Sequence, residues 1–508
     1  MSSDKMFDFK HFAMLTGSYN KRINTAFVAR SLAMQKIFDC QYINGRWCPS
    51  ANKGCFIEVE NPATFEKFAR VPEGNNDDID AAVVAAKSAY PSWSQTPMQK
   101  RLDLMQKMLD IFKSYEKDII ELEIKELGQP YAFTENLQCR YQFARIQSYI
   151  DCAAELELTQ KLAQSTVYRE PVGVVACITP WNYPLGQVVQ KVIPAVLMGN
   201  TIVLKPSQHT PLTVYYLIEA FDRAGFPAGV VNLVSGKGSA LGTRLATHPD
   251  VDMVSFTGST RVGIQLSQLV LGSVKRISLE LGGKSPFVWL PSDDYAPAVG
   301  KLFDSIFLNA GQTCTALSRL LVPRADKEKI EALLVKRAKE YKAGDPTDAT
   351  NRVGPVSSRA QFEKVREYIK LGLEEGARMI IGKVPGEATG GYVIEPVIFT
   401  DVTNDMRIAR EEIFGPVLCV IAYDTIEEAV AIANDTIYGL NAAVFGPKEK
   451  AVAVAHAIRA GNVYVNDAPR DITAPFGGYK QSGLGREGGY AGLLEFTQPK
   501  AIFDLSTY

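Results

Sequence analysis

The strongest constraint on the fold is a regular alternation of buried strands and helices between residues 172 and 281. Val172–Ile178 is a continuous run of apolar, largely β-branched residues, which is typical of a strand buried on both faces. Further strands are predicted at Thr201–Leu204, Val230–Val234, Met253–Phe256 and Ile277–Leu281, with helices at Pro184–Met198, from Pro211 to Ala224 and after Ser259. This spacing predicts a Rossmann-like, doubly wound α/β domain with a parallel sheet.

A second alternation of strands and helices follows directly. It begins with a strand at Pro286–Leu290, a helix at Tyr295–Ala310 and a strand at Arg319–Val322, and it continues to about Tyr464. The length of 508 residues is also too great for one hydrophobic core. We therefore expect two α/β domains joined near Leu281–Gly283. Because open α/β sheets bind ligands at the carboxyl ends of their strands, a site is expected at this joint.

The segment before the first alternation is predicted to be mainly helical. Tyr42–Trp47 contains Asn44-Gly45, a pair that suits the type I′ turn of a β-hairpin. Asp77–Tyr90 follows residues that cap helices well and is rich in alanine, which predicts a helix. Three more helical stretches are expected up to about Tyr149.

The composition excludes several classes of partner. The net charge of −1 gives no overall field for nucleic acid or an anionic membrane, and no apolar run reaches the roughly 18 residues of a spanning helix. The eight cysteines form no CxxC pair and no Cys/His cluster with zinc spacing, so we expect neither a metal site nor a disulfide framework. A reducing cytoplasm is therefore the expected location.

Residues 1–33 form an extension of unusual composition. Between Phe9 and Phe38 there are basic residues but no acidic one, which resembles an organelle-targeting peptide. Asp4 and Asp8 argue against targeting, and the alternative is a packing or disordered extension. Organelle targeting therefore stays open beside the cytoplasmic location.

Two glycine-rich loops follow predicted strands, as phosphate-binding loops do. Gly236–Gly242 lacks the GxGxxG spacing because its third glycine sits one residue late. Phe256–Gly263 opens a helix, and Ser259 within it is a good N-cap residue. The free N–H groups at such a helix start could hold a pyrophosphate. The alternative for each loop is a turn that only caps a helix.

Two polar side chains come directly after predicted buried strands. Asn182, in TPWNYP, is a neutral amide with two N–H donors that could stabilise a developing oxyanion, and the alternative is a helix cap. Glu280, at the end of ISLE, is a carboxylate that is costly to bury unless it is used or paired. It could act as a general base, or form an ordinary ion pair with Lys284.

Cys314 and the segment Glu411–Val417 carry further candidate chemistry. Cys314 follows a glycine-containing turn in NAGQTC. A free cysteine is usually a small buried apolar residue, but as a thiolate it is a nucleophile. In EEIFGPV, Glu412 could hold a ribose and Phe414 could pack on a nicotinamide ring. The alternative is a solvated pair of glutamates before a strand.

Together these segments resemble the aldehyde dehydrogenase superfamily. The similarity runs from about Tyr42 to Phe503, and the family's motifs occur in its order and spacing: TPWNYP, LKPS, FTGST, ELGGKS, GQTC, EEIFGPV and PFGGYKQSGLGRE. Each motif alone has a plain structural explanation, but their joint occurrence is not a coincidence. The resemblance implies a hydrolytic, NAD(P)-dependent oxidation of an aldehyde to a carboxylate.

The resemblance also implies the roles of the catalytic residues. Cys314 would attack the aldehyde carbon, and the oxyanion would be held by the Asn182 amide and the backbone N–H of Cys314. Hydride transfer to the nicotinamide would leave a thioester on Cys314, and Glu280 would activate the water that hydrolyses it. Lys191 and Glu487 would relay protons from Glu280.

The cofactor implied by the resemblance is NAD or NADP, lying over the edge of the first sheet. Many NAD-dependent members carry a glutamate where this chain has Gln208. NAD is favoured only slightly, because a neutral amide does not repel a 2′-phosphate and Lys205 could attract one. The implied contacts are Ile178, Thr179, Pro180, Trp181, Glu412 and Phe414 at the nicotinamide end, Lys205, Ser207, Gln208 and Gly238 at the adenosine end, Phe256, Gly258, Ser259 and Val262 around the pyrophosphate, and Leu281 and Gly282 at the joint.

The substrate tunnel is predicted on the helix that starts at Pro184. Gln187 and Gln190 lie three residues apart and share a helix face, which in the family lines the tunnel and is often aromatic or apolar. Two amides at these positions favour a polar aldehyde or a semialdehyde. Tyr183 and Phe476 would add aromatic walls.

The resemblance further implies the domain boundaries and an oligomer. We expect an NAD(P)-binding domain in residues 34–150 and 170–281, a catalytic domain in residues 282–480, and an oligomerisation element in residues 151–169 and 481–508. Ala153–Arg169 would protrude as a strand pair, and Glu495–Asp504 would add a strand across the partner. Such exposed strand edges demand pairing, so a homodimer or a homotetramer is expected.

Two alternative functions stand beside hydrolytic aldehyde oxidation. In a CoA-acylating relative, CoA rather than water would cleave the thioester, whereas Glu280 and Glu487 favour water. A catalytically silent binding or structural homologue is disfavoured by the retention of Cys314, Glu280 and Asn182.

Overall fold

The computed structural model describes residues 37–503, in which the strands form two large sheets, a small sheet and a hairpin. The strands in chain order are β1 (Gln41–Ile43), β2 (Arg46–Cys48), β3 (Phe56–Glu60), β4 (Lys67–Pro72), β5 (Thr159–Lys161), β6 (Thr166–Pro171), β7 (Val174–Ile178), β8 (Thr201–Lys205), β9 (Val231–Leu233), β10 (Met253–Thr257), β11 (Arg276–Glu280), β12 (Pro286–Trp289), β13 (Arg319–Pro323), β14 (Arg378–Ile381), β15 (Val397–Thr400), β16 (Val417–Tyr423), β17 (Asn441–Phe445), β18 (Asn462–Val465), β19 (Gly483–Leu484) and β20 (Thr497–Ile502).

Helices cover both large sheets, and within residues 37–503 none of them is long and apolar enough to cross a membrane. In chain order they are α1 (Asn76–Ser94), α2 (Met98–Lys113), α3 (Glu116–Leu127), α4 (Tyr131–Phe133), a π-helical segment (Thr134–Arg140), α5 (Tyr141–Glu155), α6 (Pro184–Leu197), α7 (Leu212–Ala224), α8 (Gly238–Thr247), α9 (Thr260–Leu271), α10 (Ala296–Phe307), α11 (Lys327–Ala338), α12 (Arg359–Glu374), α13 (Arg407–Arg410), α14 (Ile426–Asn434), α15 (Lys448–Ala457) and α16 (Gly489–Glu495), with 3₁₀ turns at Leu308–Gly311, Arg324–Asp326 and Lys480–Ser482.

The first large sheet has the strand order β19-β11-β10-β7-β8-β9-β1-β2, and its strands β7 to β11 are parallel. Every residue of β7, β8 and β10 is buried, which explains the near-continuous apolar runs in their sequences. The direction of strand succession reverses between β7 and β10. Because ligands of open α/β sheets bind at such a reversal, the carboxyl ends of these two strands mark the expected crevice.

The second large sheet has the strand order β14-β15-β16-β13-β12-β17-β18. The pair β14–β15 is antiparallel and the other pairs are parallel. Each sheet packs on its own helices, so the chain has two large groups of buried apolar residues, each with a smaller companion. The predicted fold class, two doubly wound α/β domains with a small β element, is confirmed.

The small third sheet has the order β20-β6-β5. Strand β20 pairs antiparallel with β6 of the same chain, from Thr497 opposite Pro171 to Ile502 opposite Thr166. Strand β20 therefore pairs within the chain along one edge, and its expected pairing across a partner stays a prediction because β20 is the outer strand of this sheet. Every residue of β5 is exposed, and the homo-oligomer stays a prediction.

The elements near the start of the described residues agree with the sequence. Asn44 and Gly45 both have positive φ angles, 53° and 72°, as a type I′ hairpin turn requires. Helix α1 begins with a capping box, in which the Asn75 side chain and the Asp78 backbone and side chain satisfy each other. The proposed targeting extension, residues 1–33, lies outside the described residues.

One predicted helix begins one residue later than the sequence indicates. Helix α7 begins at Leu212, not at Pro211, and Thr210 donates its hydroxyl to the Trp181 carbonyl instead of capping the helix. The remote Glu126 carboxylate accepts hydrogen bonds from the N–H groups of Leu212 and Thr213. A carboxylate there also complements the positive end of the helix dipole.

Candidate active site

A cavity of about 820 Å³ lies at the carboxyl ends of β7, β8 and β10. Its volume falls within the range of roughly 300–1,000 Å³ that is typical of sites for cofactors and other small molecules. Cys314, Asn182 and Gln187 lie on its wall. The same wall contains every residue that the sequence predicts to contact a dinucleotide: Ile178, Thr179, Pro180, Trp181, Lys205, Ser207, Gln208, Gly238, Phe256, Gly258, Ser259, Val262, Leu281, Gly282, Glu412 and Phe414.

One end of the cavity is formed by the loop after β8 and the start of α8. The Gln208 side-chain oxygen accepts a hydrogen bond from the Gly238 backbone N–H at 2.9 Å, so these two predicted contacts are neighbours. The Lys205 ammonium donates to the Pro206 carbonyl at 3.2 Å, and burial lowers its pKa to about 8. A buried cation without an acid beside it suits a ligand that brings oxygen acceptors or negative charge.

The middle of the cavity faces the N-terminus of α9. Ser259 caps this helix by accepting a hydrogen bond from the Val262 N–H, as predicted. The other N–H groups of a first helical turn have no partner within the helix, and with the helix dipole they favour a phosphate. Gly263 lets this helix pack closely on the joint, because a Cβ atom there would lie 2.5 Å from the Leu281 side chain.

Glu412 and Phe414 enclose the end of the cavity near Cys314. The Phe414 ring meets the Trp181 ring edge to face at 5.5 Å between centroids, and Phe414 has a positive φ angle of 61°. Glu412 accepts a hydrogen bond from the Gly283 N–H at 2.9 Å, and burial raises its pKa. The alternative of a solvated glutamate pair is therefore wrong, because Glu412 is held against the joint between the domains.

Two side chains on α12 also line this end, and no sequence motif indicates them. Gln361 donates to the Phe414 carbonyl at 2.7 Å, and Lys364 donates to the Glu412 carbonyl at 3.1 Å. They fix the backbone that presents the ring and the carboxylate. Their helix carries only the ordinary amphipathic pattern, so their position becomes visible only in the folded chain.

Cys314 follows a turn with an uncommon backbone. Asn309, Ala310 and Gly311 have φ angles of 55°, 51° and 71°, all in the left-handed region. This turn ends α10 at Phe307, whereas the sequence predicted a helix through Ala310. A left-handed conformation costs a non-glycine residue roughly 1–2 kcal/mol, so the surrounding contacts must hold the turn in place.

The same contacts place the Cys314 sulfur in the cavity wall. Cys314 is partly accessible there, whereas cysteines that only fill a core are fully buried. Burial raises the pKa of its thiol to about 12, and the carboxylates of Glu412 and Glu280 add to the increase. The resting sulfur is therefore a protonated thiol, and a neighbouring base must accept its proton before it can attack a carbonyl.

Asn182 lies beside this turn. Its side-chain N–H donates to the Gln312 carbonyl at 2.9 Å, while Gln138 and Asn309 donate to its backbone carbonyl. The amide is thus anchored through one N–H, and the second remains available to the cavity. The alternative of a helix cap is wrong, because the cap position of α6 is Tyr183 and has no side-chain cap bond.

Glu280 ends β11 and is almost fully buried, with 3% of its surface exposed. Among residues 37–503 neither of its carboxylate oxygens has a hydrogen-bond partner, and burial followed by the charge of Glu487 raises its pKa well above the ordinary value. The alternative of an ion pair with Lys284 is wrong, since the Lys284 ammonium is itself buried without a partner. An unpaired buried carboxylate of this kind is typical of a general base.

Lys191 and Glu487 form a buried ion pair close to Glu280. The Lys191 ammonium lies 2.6 Å from one Glu487 oxygen, and each side chain is at most 4% exposed. The second Glu487 oxygen has no hydrogen-bond partner in the part of the chain that the structure describes. Charges on both residues act on Glu280, Glu487 raising its pKa and Lys191 lowering it. The ion pair that is predicted to relay protons therefore lies close to Glu280, the predicted base.

Two of the four residues predicted to line the substrate tunnel, Tyr183 and Gln187, lie at the start of α6 and near Cys314. The Tyr183 hydroxyl and the Thr313 hydroxyl share a hydrogen bond of 2.9 Å, directly next to Cys314. Gln187 is buried, and its side-chain oxygen accepts no hydrogen bond from any described residue. Gln190 and Phe476 are also buried, but they do not line the large cavity.

Comparison with known proteins identifies the family. The model of the aldehyde dehydrogenase family matches residues 47–502. A 3-succinoylsemialdehyde-pyridine dehydrogenase of a Pseudomonas species is 42% identical over 91% of this chain and 97% of its own length.

Two solved structures have the same fold. A mutant of aldehyde dehydrogenase C from Pseudomonas syringae, complexed with NAD+ and octanal, has a TM-score of 0.90 at 41% identity and covers 92% of this chain and 97% of its own. An aldehyde dehydrogenase of Mycobacterium tuberculosis complexed with NAD+ has a TM-score of 0.90 at 39% identity and covers 93% and 99%. This chain belongs to the aldehyde dehydrogenase family and is an NAD(P)-dependent oxidoreductase that acts on aldehydes.

Proposed function

We propose that the chain oxidises an aldehyde to a carboxylate through a thioester on Cys314, with Asn182 as the oxyanion donor and Glu280 as the base. The observation that carries this proposal is that the fold brings together Cys314, Asn182 and Glu280, which are distant in sequence. A partly accessible thiol and an anchored amide share one cavity wall, and an unpaired buried carboxylate acts electrostatically on the same thiol.

In the first half of the reaction, the Cys314 sulfur gives up its proton to a neighbouring base and attacks the aldehyde carbon. The carbonyl oxygen becomes an oxyanion, which the free N–H of Asn182 and the backbone N–H of Cys314 stabilise. Each such donor contributes roughly 3–4 kcal/mol to lowering the barrier. The cofactor, when bound, supplies the acceptor for the hydride that leaves this carbon. The carbon then remains bonded to sulfur as a thioester.

In the second half, Glu280 accepts a proton from water, and the hydroxide attacks the thioester carbon. The C–S bond breaks, the carboxylate leaves, and the sulfur recovers a proton. The Lys191–Glu487 pair provides a path by which the proton leaves Glu280. The buried position of Glu280 suits this step, because a raised pKa makes the carboxylate a stronger base.

An aldehyde panel with the purified protein, run with NAD and NADP in parallel, tests this function. We expect NADH or NADPH and free carboxylic acid from at least one aldehyde. If the product formed with added CoA is an acyl-CoA thioester, the hydrolytic proposal is wrong. If no aldehyde yields reduced cofactor, the chain is a silent homologue.

We propose NAD as the preferred cofactor, with NADP also accepted, because the residue at the adenosine end is Gln208. Replacing Gln208 with glutamate is expected to raise the ratio of kcat/KM for NAD to kcat/KM for NADP by about tenfold or more, because a carboxylate accepts ribose hydroxyls and repels a 2′-phosphate. The bond from the Gly238 N–H can form with either side chain, so the loop should keep its position.

The matched control is Gln498→Glu, which places the same charge on the exposed strand β20. It is expected to leave the cofactor ratio unchanged. An unaltered ratio in Gln208→Glu would show that this position does not face the ribose.

For the substrate we propose a polar aldehyde or a semialdehyde. Two similar proteins point in opposite directions, since one is named for a semialdehyde and the other was solved with octanal. The side chains of this chain favour the semialdehyde. Gln187 and Gln190 are buried amides on the face of α6 that begins beside Cys314, and an alkyl chain would leave them without partners.

A further inference from the structure

Arg145 is a buried cation that no carboxylate neutralises. It lies on α5 with 7% of its surface exposed, donates to the Gln142 side-chain oxygen at 2.8 Å, and stacks on the Tyr141 ring at 4.8 Å. Among residues 37–503 it has no ion pair. Glu487, the acid that acts on it from a distance, is already bonded to Lys191. Burying a guanidinium without an anion is unfavourable, so a bound anion would stabilise this side chain.

Arg470 is a second cation on the same side of Cys314. Its guanidinium lies 4.8 Å from the centroid of the Phe476 ring, and within the described part of the chain it has no hydrogen bond and no ion pair. Burial lowers the pKa of Arg145 and the charge of Arg470 adds to this decrease, whereas for Tyr183 and Cys314 the same charge opposes the rise in pKa that burial causes. Phe476 exchanges backbone hydrogen bonds with Glu487, and the adjacent Gly488 donates to the Tyr149 hydroxyl on α5, one turn after Arg145. Both arginines therefore lie beside the segment that carries Glu487.

This position lies outside the cofactor cavity. Neither arginine lines that cavity, since Arg145 contacts Tyr141 and Gln142 of its own helix and Arg470 contacts the Phe476 ring. Gly186 of α6 faces Gln142, and a Cβ atom at Gly186 would lie 3.3 Å from the Gln142 amide. A glycine here keeps the side chains that hold Arg145 close to the start of α6, beside the predicted tunnel.

We propose that Arg145 and Arg470 bind a carboxylate group of the substrate, so that the substrate class is an aldehyde bearing a carboxylate at its far end. This inference rests on the proposed function and adds the chemical class of the substrate. Guanidinium groups present N–H donors in a planar fork that matches a carboxylate. A substrate carboxylate would supply the negative charge that Arg145 lacks, and Arg470, at the exposed end, would guide it inwards.

The test compares three probes of equal chain length: a linear ω-oxo carboxylic acid, its methyl ester and the corresponding alkyl aldehyde. We expect the acid to have the highest kcat/KM in the unaltered protein. Arg470→Gln and Arg145→Gln should each lower kcat/KM for the acid by about ten- to a hundredfold, the usual size of one lost charge-assisted contact, while the ester changes little. Arg46→Gln, which alters an exposed arginine in β2, should change neither value.

Arg470 lies in an exposed segment, so its variant avoids the loss of folding that Arg145→Gln could cause. An acid-to-ester ratio that is the same in Arg470→Gln and in the unaltered protein would overturn the proposal. So would a higher kcat/KM for an aldehyde bearing a phosphate in place of the carboxylate.

Calorimetric binding of the dicarboxylate product separates this inference from the proposed function. Binding that weakens by about tenfold or more in Arg470→Gln supports the anion site. If this occurs while no aldehyde is oxidised, the catalytic proposal fails and the anion site stands. Equal binding of the dicarboxylate and its monomethyl ester would overturn the site itself.

Discussion

Replacing Cys314 with alanine is expected to reduce aldehyde oxidation by roughly 10⁴-fold or more, because the covalent intermediate can no longer form. The cavity wall should otherwise survive, since the turn that presents Cys314 is held by contacts of its neighbours. Gln312 accepts from Asn182 through its carbonyl and donates its own side-chain amide to the Asn309 carbonyl. Formation of NADH from the best aldehyde of the panel measures the loss, and quenching of protein fluorescence by NAD measures whether cofactor binding is retained.

The matched control for this variant is Cys55→Ala, which removes an exposed sulfur far from the cavity lining. It should oxidise aldehydes at the rate of the unaltered protein. Retention of more than about a tenth of the activity in Cys314→Ala would exclude a thioester on this residue, because the loss of a covalent nucleophile costs far more. Normal activity together with normal NAD binding would show that another group acts as the nucleophile.

The parallel sheets were predictable because their central strands are buried on both faces. Short apolar runs such as VVACI at β7 and MVSF at β10 suit strands that are buried on both faces. The positions of the motif residues then follow from the order of the strands in the sheet. Thr179–Tyr183 and Gly258–Ser259 come after the two strands that flank the strand reversal, so the fold itself brings them together.

Other features could not be read from the sequence because their partners are distant. Glu126 caps a helix that begins 86 residues later, and no local sequence pattern indicates this contact. The left-handed backbone at Ala310 replaces a helical turn that its apolar sequence favours. Tertiary contacts outweigh local preference at both places.

The arginines of the anion site illustrate a further limit. In the sequence, Arg145 and Arg470 are two ordinary cations among many, and their spacing carries no motif. Their significance lies in what is missing around them, since Arg145 is buried and neither has an acidic partner in the described residues. Whether an arginine has an acidic partner depends on which residues the fold places beside it, and the sequence alone does not show this.

Replacing Glu280 with glutamine is expected to stop the reaction after one turnover. The amide has the size of the carboxylate but cannot accept a proton from water, so thioester hydrolysis should slow by roughly 10²–10⁴-fold. Acylation can proceed if another group accepts the thiol proton. Rapid mixing should then show a burst of about one NADH per active site followed by a slow steady state, with acyl-enzyme detected as added mass on Cys314.

The pH dependence supplies an independent check on the same residue. Burial raises the pKa of Glu280, and only the deprotonated carboxylate can act as a base. The steady-state rate of the unaltered protein should therefore rise with pH until this raised pKa is passed, and in Glu280→Gln that rise should be absent. Glu328→Gln, which alters an exposed carboxylate on α11, should keep the normal profile. A Glu280→Gln variant with full turnover and the normal rise would assign the base to another group, and the unpaired Glu487 oxygen would be the next candidate.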